Sequence, residues 1–436
     1  MVRGCFAASR ESRANVERAY VVCVTLCAFV RILFAKFSVD NLYKYFKMKT
    51  LVSDLFSDAI HNKTYVKVCA PMVRYSKVQF RTLVRNFNVD LCFTPMILAD
   101  SFCQNEKARI SEFATTANDT PLIVQFAANS VDDFVDASKL IYNYADGVDL
   151  NCGCPQKWAI KDGYGCSLLT RPEMIQNFVR GVRSSLPNSF SVSVKIRLLK
   201  DLKKTIEICR QLEKCGVNFL TVHGRTPDQK SSGNVNTDAL RAICGSVNIP
   251  VIANGGVKTL ADADELHSAV NCSGVMAAGG ILTNPALFSG INKTPRSCVK
   301  LWKNMKDLNS DKITFQCYHH HLVFMLEKVL LKQEKQVFNR LGTFELVDEF
   351  LGEYFSDTLD SNKYPYNLGS FTECDFASEI TMKHSVKCRS CCKSKCYCIC
   401  NEYNSNKSDG AFYTSFVKDL SDIDYIMDSN LFQESV

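Results

Sequence analysis

Two thiols and an amide stand close together in Asp146-Gly-Val-Asp-Leu-Asn-Cys-Gly-Cys-Pro155. The apolar run Gly147 to Leu150 breaks into a tight Asn-Cys-Gly-Cys-Pro turn, the pattern of a buried parallel strand that ends at a reaction site. Gly153 lets backbone approach a ligand closely, and Pro155 fixes the exit while removing one backbone donor. Cys154 is the candidate acid at this turn. A metal pair and two inert buried thiols are the competing readings. Cys-x-Cys without a second pair at suitable distance is a poor zinc signature, so no metal ligands are assigned.

Short apolar runs alternate with helical patterns from Val66 onward. The runs are Val66–Ala70, Leu91–Thr94, Leu122–Phe126, Gly147–Leu150, Val192–Ile196, Phe219–Val222, Pro250–Ala253 and Gly274–Ala277. Helical patterns include Val131–Tyr144, Pro172–Leu186, Leu202–Lys214, Thr237–Cys244 and Leu260–Val270. Eight repeats predict an α/β chain, a (β/α)8 TIM barrel, with length left for a smaller appended unit. No Gly-x-Gly-x-x-Gly follows the first strand, which argues against an open doubly wound sheet.

Such a barrel carries functional residues at the C-terminal ends of its strands. There the chain places Pro71 and Met72, then Gln125, then Asn151 to Cys154, then Lys195 and Arg197. His223-Gly224-Arg225, Asn254-Gly255-Gly256 and Ala278-Gly279-Gly280 follow the last three strands. Lys195 alternates with Val192, Val194 and Ile196, so it points into the barrel if those face the helices. A buried ammonium there needs an anionic partner; a solvated edge lysine is the alternative. His223 reads as ligand-facing rather than as a core histidine. The two glycine pairs bring bare amides together where barrels of this kind commonly bind phosphate, although tight turns also need glycine. A phosphate grip, a lysine and a thiol so arranged describe bound flavin mononucleotide (FMN) facing a proton donor.

Composition adds limits. A net charge of +7 suits a polyanionic partner and equally a merely basic soluble protein. The 22 cysteines include many scattered singly through apolar runs (Cys69, Cys92, Cys209, Cys244, Cys272), which predicts reduced buried thiols and few or no disulfides in the core. Arg3, Arg10, Arg13 and Arg18 precede the uncharged run Ala19 to Val30, whose twelve residues are too few to span a bilayer. Residues 1–62 are thus an N-terminal extension, disordered or signal-like, and a product starting at Met48 would lose nothing the core needs. No stable membrane association is expected unless that segment is retained.

Six motifs in order carry a family resemblance. They are Val68-Cys-Ala-Pro-Met-Val-Arg-Tyr-Ser76, Pro121-Leu-Ile-Val-Gln-Phe-Ala127, Asp149-Leu-Asn-Cys-Gly-Cys-Pro-Gln156, Lys195-Ile-Arg197, Thr221-Val-His-Gly-Arg-Thr226 and Asn284-Pro285. Together the chain resembles the tRNA-dihydrouridine synthases, more narrowly the eukaryotic subtype acting at positions 20a and 20b of the tRNA D-loop. The similarity covers roughly Val66 to Phe355, through Tyr318-His-His-His-Leu-Val-Phe-Met-Leu-Glu-Lys328 and Arg340.

The resemblance implies an enzyme that uses FMN and NADPH to reduce a uracil base within tRNA. Hydride would reach C6 from reduced flavin while Cys154, with a near-neutral pKa, protonates C5 from the other face. By the same correspondence Pro71, Met72 and Val73 line the flavin, Gln125 and Lys195 meet its pyrimidine edge, and His223 lies near the ribityl-phosphate end. Asn254, Gly255 and Gly256 with Ala278 and Gly279 would hold the phosphate, and Asn151 and Arg197 fall on the substrate side. Two departures bear on this grip. Gly256 stands where the family usually has Asp, and Gly279 where it usually has Arg, a contact whose loss costs about 1.5–3 kcal/mol if unreplaced.

The resemblance makes residues 63–292 the expected FMN-binding barrel, followed by a smaller all-helical domain over 293–356 that binds tRNA. Lys293 to Arg340 has ten basic residues against four acidic ones, and His319 to His321 join them on a polyanion-facing surface; a solvated helix face is the alternative. Residues 357–436 form a low-order tail whose Cys388, Cys391, Cys392, Cys396, Cys398 and Cys400 are either a thiolate metal site or without function. A cytoplasmic monomer is expected, with a nuclear or organellar location open. An FMN-barrel reductase of free pyrimidines and a catalytically impaired tRNA-binding protein are the rival functions.

Overall fold

The computed structural model describes residues 51–306 and 313–354; the N-terminal arginines, Met48 and the cysteine cluster from Cys388 to Cys400 lie outside them. Nine strands form: β1 Val66–Cys69, β2 Leu91–Phe93, β3 Ile97–Leu98, β4 Leu122–Ala127, β5 Gly147–Cys152, β6 Ser191–Arg197, β7 Phe219–His223, β8 Val251–Asn254 and β9 Gly274–Ala277. Eight of them are the expected eight, with ends shifted by one or two residues. β3 is a two-residue continuation of β2 past Pro95, which has no N–H to give a ladder, and it pairs Ile97 with Phe126.

Every pairing is parallel. β1 joins β2 and β9, β2 joins β4, and β4 through β9 follow in sequence, so the ring closes into a (β/α)8 barrel. Closure removes both sheet edges and buries the strands on both faces, which is why they read as apolar runs rather than alternating ones. Phe93 and Phe219 stand on strands that do not pair, yet their rings lie 6.4 Å apart. That contact is possible only across the interior, so the side chains of Phe219, Thr221 and His223 face inward, alternate residues along one strand.

The helices follow in order: α1 Val52–His61, α2 Val78–Arg85, α3 Ala99–Gln104, α4 Glu106–Glu112, α5 Val131–Ile141, α6 Lys157–Lys161, α7 Pro172–Ser185, α8 Leu202–Lys214, α9 Thr237–Cys244, α10 Leu260–Val270, α11 Gly279–Thr283, α12 Arg296–Met305, α13 Phe315–Leu326, α14 Lys332–Phe338 and α15 Phe344–Tyr354. Local chemistry starts several of them. Asp201 caps α8 through two backbone amides, Asn236 caps α9, and Thr259 with Asp262 forms a capping box on α10.

α1 corrects the expectation of an extension reaching residue 62. Val52, Phe56 and Ala59 are buried, and the Phe56 ring reaches Phe219 at 5.3 Å. Phe219 begins β7, so α1 closes the N-terminal mouth, where bare interior side chains would otherwise meet water.

The segment after the barrel packs on it through aromatic surface. α12 lies on α2, and α13 lies on α11. Trp302 and Tyr318 are fully buried, and the Trp302 indole donates to the Tyr318 carbonyl at 3.1 Å. His321 stacks on Phe80 at 4.7 Å and meets Trp302 at 4.4 Å. Burial pushes its imidazole down to about 3, and His319 bonds the Phe338 carbonyl at 2.9 Å. His319 and His321 are therefore packing residues, not part of the expected basic surface. Lys303 and Lys306 pair with Asp348, and Lys335 with Glu327. Among the described residues, Lys293, Arg296, Lys300, Lys328, Lys332 and Arg340 are exposed.

Asp119 joins Arg81 (2.6 Å) and Arg85 (3.1 Å) in a buried cluster beside β2. Burial works to raise this carboxyl, but the two guanidinium groups outweigh it and hold it below the usual range. All cysteines among the described residues are free thiols.

Candidate active site

The inward positions near the C-terminal mouth are polar on one side of the ring. β5 contributes Asp149 and Asn151, β6 contributes Ser193, Lys195 and Arg197, β4 contributes Gln125, and β7 contributes Thr221 and His223. Register fixes these as rows: Gln125 beside Asp149 beside Ser193, Asn151 beside Lys195 beside Thr221, and Arg197 beside His223 beside Asn254. In-register neighbours on parallel strands point the same way, so Lys195 faces inward with Thr221, as its alternation with valines predicts.

Hydrogen bonds lock the thiol turn to this interior. Ser193 Oγ donates to Asp149 Oδ1 at 2.6 Å, and Gln125 Nε2 donates to Asp149 Oδ2 at 2.8 Å. Asn151 Nδ2 donates to Gln125 Oε1 at 2.8 Å. Asn151 Oδ1 then accepts the amides of Gly153 at 3.0 Å and Cys154 at 2.9 Å. Arg197 grips the same turn from β6, donating to the Gly153 carbonyl at 3.0 Å and to the Thr226 carbonyl at 3.1 Å. From the far side Gly165 presses bare backbone on it: a Cβ there would stand 2.5 Å from the Cys154 carbonyl oxygen.

Electrostatics follow from this burial. Asp149 is fully buried and pushed up to about 6, with Ser193, Gln125 and Lys195 opposing the shift. Burial and Arg197 push Lys195 down to about 8, while Asp149 works the other way. Asp149 thus supplies nearby negative charge but no ion pair, and the ammonium itself stays unmatched. The Cys154 thiol is half-buried and raised by desolvation, partly offset by a backbone hydrogen bond at Gln156 and by the charges of Arg197 and Lys195. It is not the near-neutral thiol expected from its role, because burial beside an apolar cluster of Ala127, Ala159 and Tyr164, edged by Met96, Leu98 and Trp158, outweighs the nearby positive charge.

His223 stands 3.1 Å from Arg225 Nη1 through Nε2. A guanidinium can only donate, so Nε2 accepts and carries no proton. Burial, with Lys195 and Arg197 nearby, holds the ring well below its usual pKa, and it is neutral.

The remaining expected residues line the same mouth. Met72 is buried in a turn after β1 where its amide donates to Ser76 Oγ at 2.9 Å, with Pro71 half-buried and Val73 exposed. Asn254 Nδ2 donates to the Met276 carbonyl at 3.0 Å, tying β8 to β9. Gly255 lies against the His223 ring, and Ala278 opens α11.

A model of the dihydrouridine synthase family matches residues 68–360. The chain belongs to this family. The tRNA-dihydrouridine(20a/20b) synthase [NAD(P)+]-like protein of Mus musculus is 46% identical over 302 residues, 69% of this chain and 92% of the mouse protein. The tRNA-dihydrouridine(20a/20b) synthase [NAD(P)+] of Schizosaccharomyces pombe is 43% identical over 295 residues, 67% of this chain and 89% of that one. The tRNA-dihydrouridine(16/17) synthase [NAD(P)(+)]-like protein of Rattus norvegicus is 39% identical over 227 residues, 51% of each chain.

Two departures of this dihydrouridine synthase take on physical meaning. Gly256 has φ +78°, a left-handed conformation that costs an aspartate strain, so the glycine suits its turn. Gly279 has open space around it, and nothing in the structure requires a glycine there. Sequence reasoning missed Asp149, Ser193 and Thr221. Alternation along each strand was the available signal, since all three lie two residues before a residue singled out for the site.

Two orphaned groups test the mouth for a flavin. The Lys195 ammonium makes no hydrogen bond or ion pair with any described residue, and the buried Thr221 hydroxyl has no partner among them. A cation and a donor left unmatched inside the barrel fit a ligand that presents acceptors there.

Proposed function

We propose that this dihydrouridine synthase reduces uridine to 5,6-dihydrouridine in the D-loop of tRNA, at positions 20a and 20b, with FMN in the barrel mouth and NADPH as the electron donor. The observation that carries the reading is the Cys154 turn, clamped by Asn151 and Arg197 at the same mouth as an unmatched Lys195 ammonium. Bound FMN would supply the electron pair that goes to C6 of the base. Pro71, Met72 and Val73 would line its ring, Gln125 and Lys195 its pyrimidine edge, and neutral His223 its ribityl end. Asn254, Gly255, Gly256, Ala278 and Gly279 would hold the phosphate.

Cys154 holds its proton because desolvation raises the thiol, and it gives that proton to C5. The thiolate left behind is eased by the positive charge of Arg197 and Lys195. Asn151 and Arg197 keep the turn in place and border the base. Met96, Leu98 and Trp158 pack on the same apolar cluster as Cys154 and lower the polarity around the thiol.

A uracil stacked in folded tRNA must be extruded to reach this mouth. Residues 293–356 act as the tRNA-binding domain, with Lys293, Arg296, Lys300, Lys328, Lys332 and Arg340 as the exposed cations that meet phosphate. The enzyme works as a cytoplasmic monomer. No helix among the described residues is long and apolar enough to cross a membrane.

Nucleoside analysis of tRNA from cells lacking the protein tests the reading. Dihydrouridine should be missing at 20a and 20b and return with the wild-type protein but not with Cys154→Ala. Equal restoration by both would remove Cys154 from the mechanism.

A further inference from the structure

We propose that Asp149 is a positioning residue: its carboxylate sets the orientation of the Gln125 and Asn151 amides and, through them, seats the Cys154 turn. The argument is one of donors and acceptors. A side-chain amide can turn end over end at little steric cost, so its orientation is decided by its partners. A carboxylate only accepts, and Ser193 Oγ already donates to one oxygen of Asp149. Its Oδ2 therefore requires the amino end of Gln125 at 2.8 Å. That leaves Oε1 of Gln125 as the only atom able to face Asn151, and it accepts from Nδ2 at 2.8 Å. Asn151 must then present Oδ1 to the turn, where two backbone amides, both obligate donors, meet it at 3.0 and 2.9 Å.

Both ends agree. An acceptor-only group at one end and donor-only groups at the other permit a single polarity along the chain. All of its members are buried except Cys154 itself, so water cannot substitute for a lost partner without cost. Ser193 fixes the start by donating to the other carboxylate oxygen at 2.6 Å.

Asp149 lies two residues before Asn151 on the same inward face of β5, with both of its oxygens taken by Ser193 and Gln125. Its effect travels through the amides, and two substitutions separate acceptor from charge. Asp149→Asn keeps an oxygen for Gln125 and can turn its own amino group to Ser193 Oγ. Asp149→Leu removes the acceptor altogether, freeing Gln125 and Asn151 to turn and leaving the Gly153 and Cys154 amides without a fixed partner.

This assignment extends the reading of Cys154 as the proton donor, but its test needs neither flavin nor tRNA. The readout is the rate at which iodoacetamide alkylates Cys154 in the full chain, followed on its own peptide by mass spectrometry, with thermal melting recorded alongside. Asp149→Leu should speed alkylation about fivefold, the factor that about 1 kcal/mol of lost amide bonding gives, and Asp149→Asn should stay within about twofold of wild type. Gln125→Met interrupts the same chain at its middle and should match Asp149→Leu; if the leucine variant does not fold, the methionine variant decides. Wild-type rates in the folded variants would overturn the proposal. So would equal acceleration in Asp149→Asn and Asp149→Leu, which would assign the effect to charge rather than to the acceptor. Loss of dihydrouridine synthesis on its own would bear on the functional reading and leave this result standing.

Discussion

Asn151 holds Cys154 by its backbone: one side-chain oxygen accepts the Cys154 amide at 2.9 Å and that of Gly153 at 3.0 Å. No side chain of that network bonds the thiol itself, and desolvation outweighs the Gln156 backbone hydrogen bond that would favour the thiolate. A donor seated this way keeps its proton until a base arrives, and the predictions below begin from that.

Cys154→Ala should lower uridine reduction by about two to four orders of magnitude, the usual contribution of a positioned acid. Flavin occupancy should be unchanged, because the turn is held by main-chain bonds that alanine keeps. Single-turnover assays with unmodified tRNA and flavin absorbance check both parts.

Gly279→Arg should fold normally, since a side chain there meets open space. It should tighten FMN about 10- to 100-fold by restoring a charge-assisted contact. Gly256→Asp should instead cost about 1 kcal/mol or more, because its φ of +78° strains any side chain. Fluorescence titration of FMN and melting curves distinguish the two. If Gly279→Arg leaves FMN affinity unchanged, backbone amides suffice for the phosphate.

His321 should make the protein acid-sensitive. Its folded pKa is pushed down to about 3 by burial against Phe80 and Trp302, against about 6.5 in an unfolded chain. Between those values the unfolded chain binds a proton that the folded one refuses, so stability is lost as pH falls below about 6.5, at up to about 1.4 kcal/mol per pH unit. His321→Phe should flatten the dependence of the melting temperature on pH between pH 6 and 4. An unchanged slope would exclude this histidine as its source.

Asp119→Ala should destabilise the barrel by about 3–5 kcal/mol, because it leaves the guanidinium of Arg81 buried without its carboxylate. The Asp119 contribution is present above the unfolded carboxyl pKa of about 3.9 and lost as pH falls through its lower folded value. Urea denaturation at pH 7 measures the first statement and a series down to pH 2 the second.

Lys328→Gln with Arg340→Gln should weaken tRNA binding and reduce the slope of log affinity against log salt by about 1 to 2, as expected for two phosphate contacts. Lys335→Gln, whose ammonium bonds Glu327 at 2.9 Å, should change that slope far less.

Much of this architecture is legible in the sequence because its determinants are local. Gly147 to Cys152 and Gly274 to Ala277 read as buried strands from their own side chains, and the caps at Asp201, Asn236 and Thr259 sit within three residues of what they bond. The turn that carries Cys154 is likewise visible, since a glycine and a proline fix it wherever it occurs. Closure of the ring decided the rest. Strand pairing sets Gln125, Asp149 and Ser193 in one row, and closure, where β2 meets β4 and β1 meets β9, turns that row into a buried interior in which an unremarkable strand aspartate anchors the thiol turn. His319 and His321 teach the same lesson in reverse. Beside lysines in the sequence they resemble a basic patch, but packing against Phe80, Trp302 and Phe338 removes them from water and from charge, because burial is a property of neighbours that sequence order does not name.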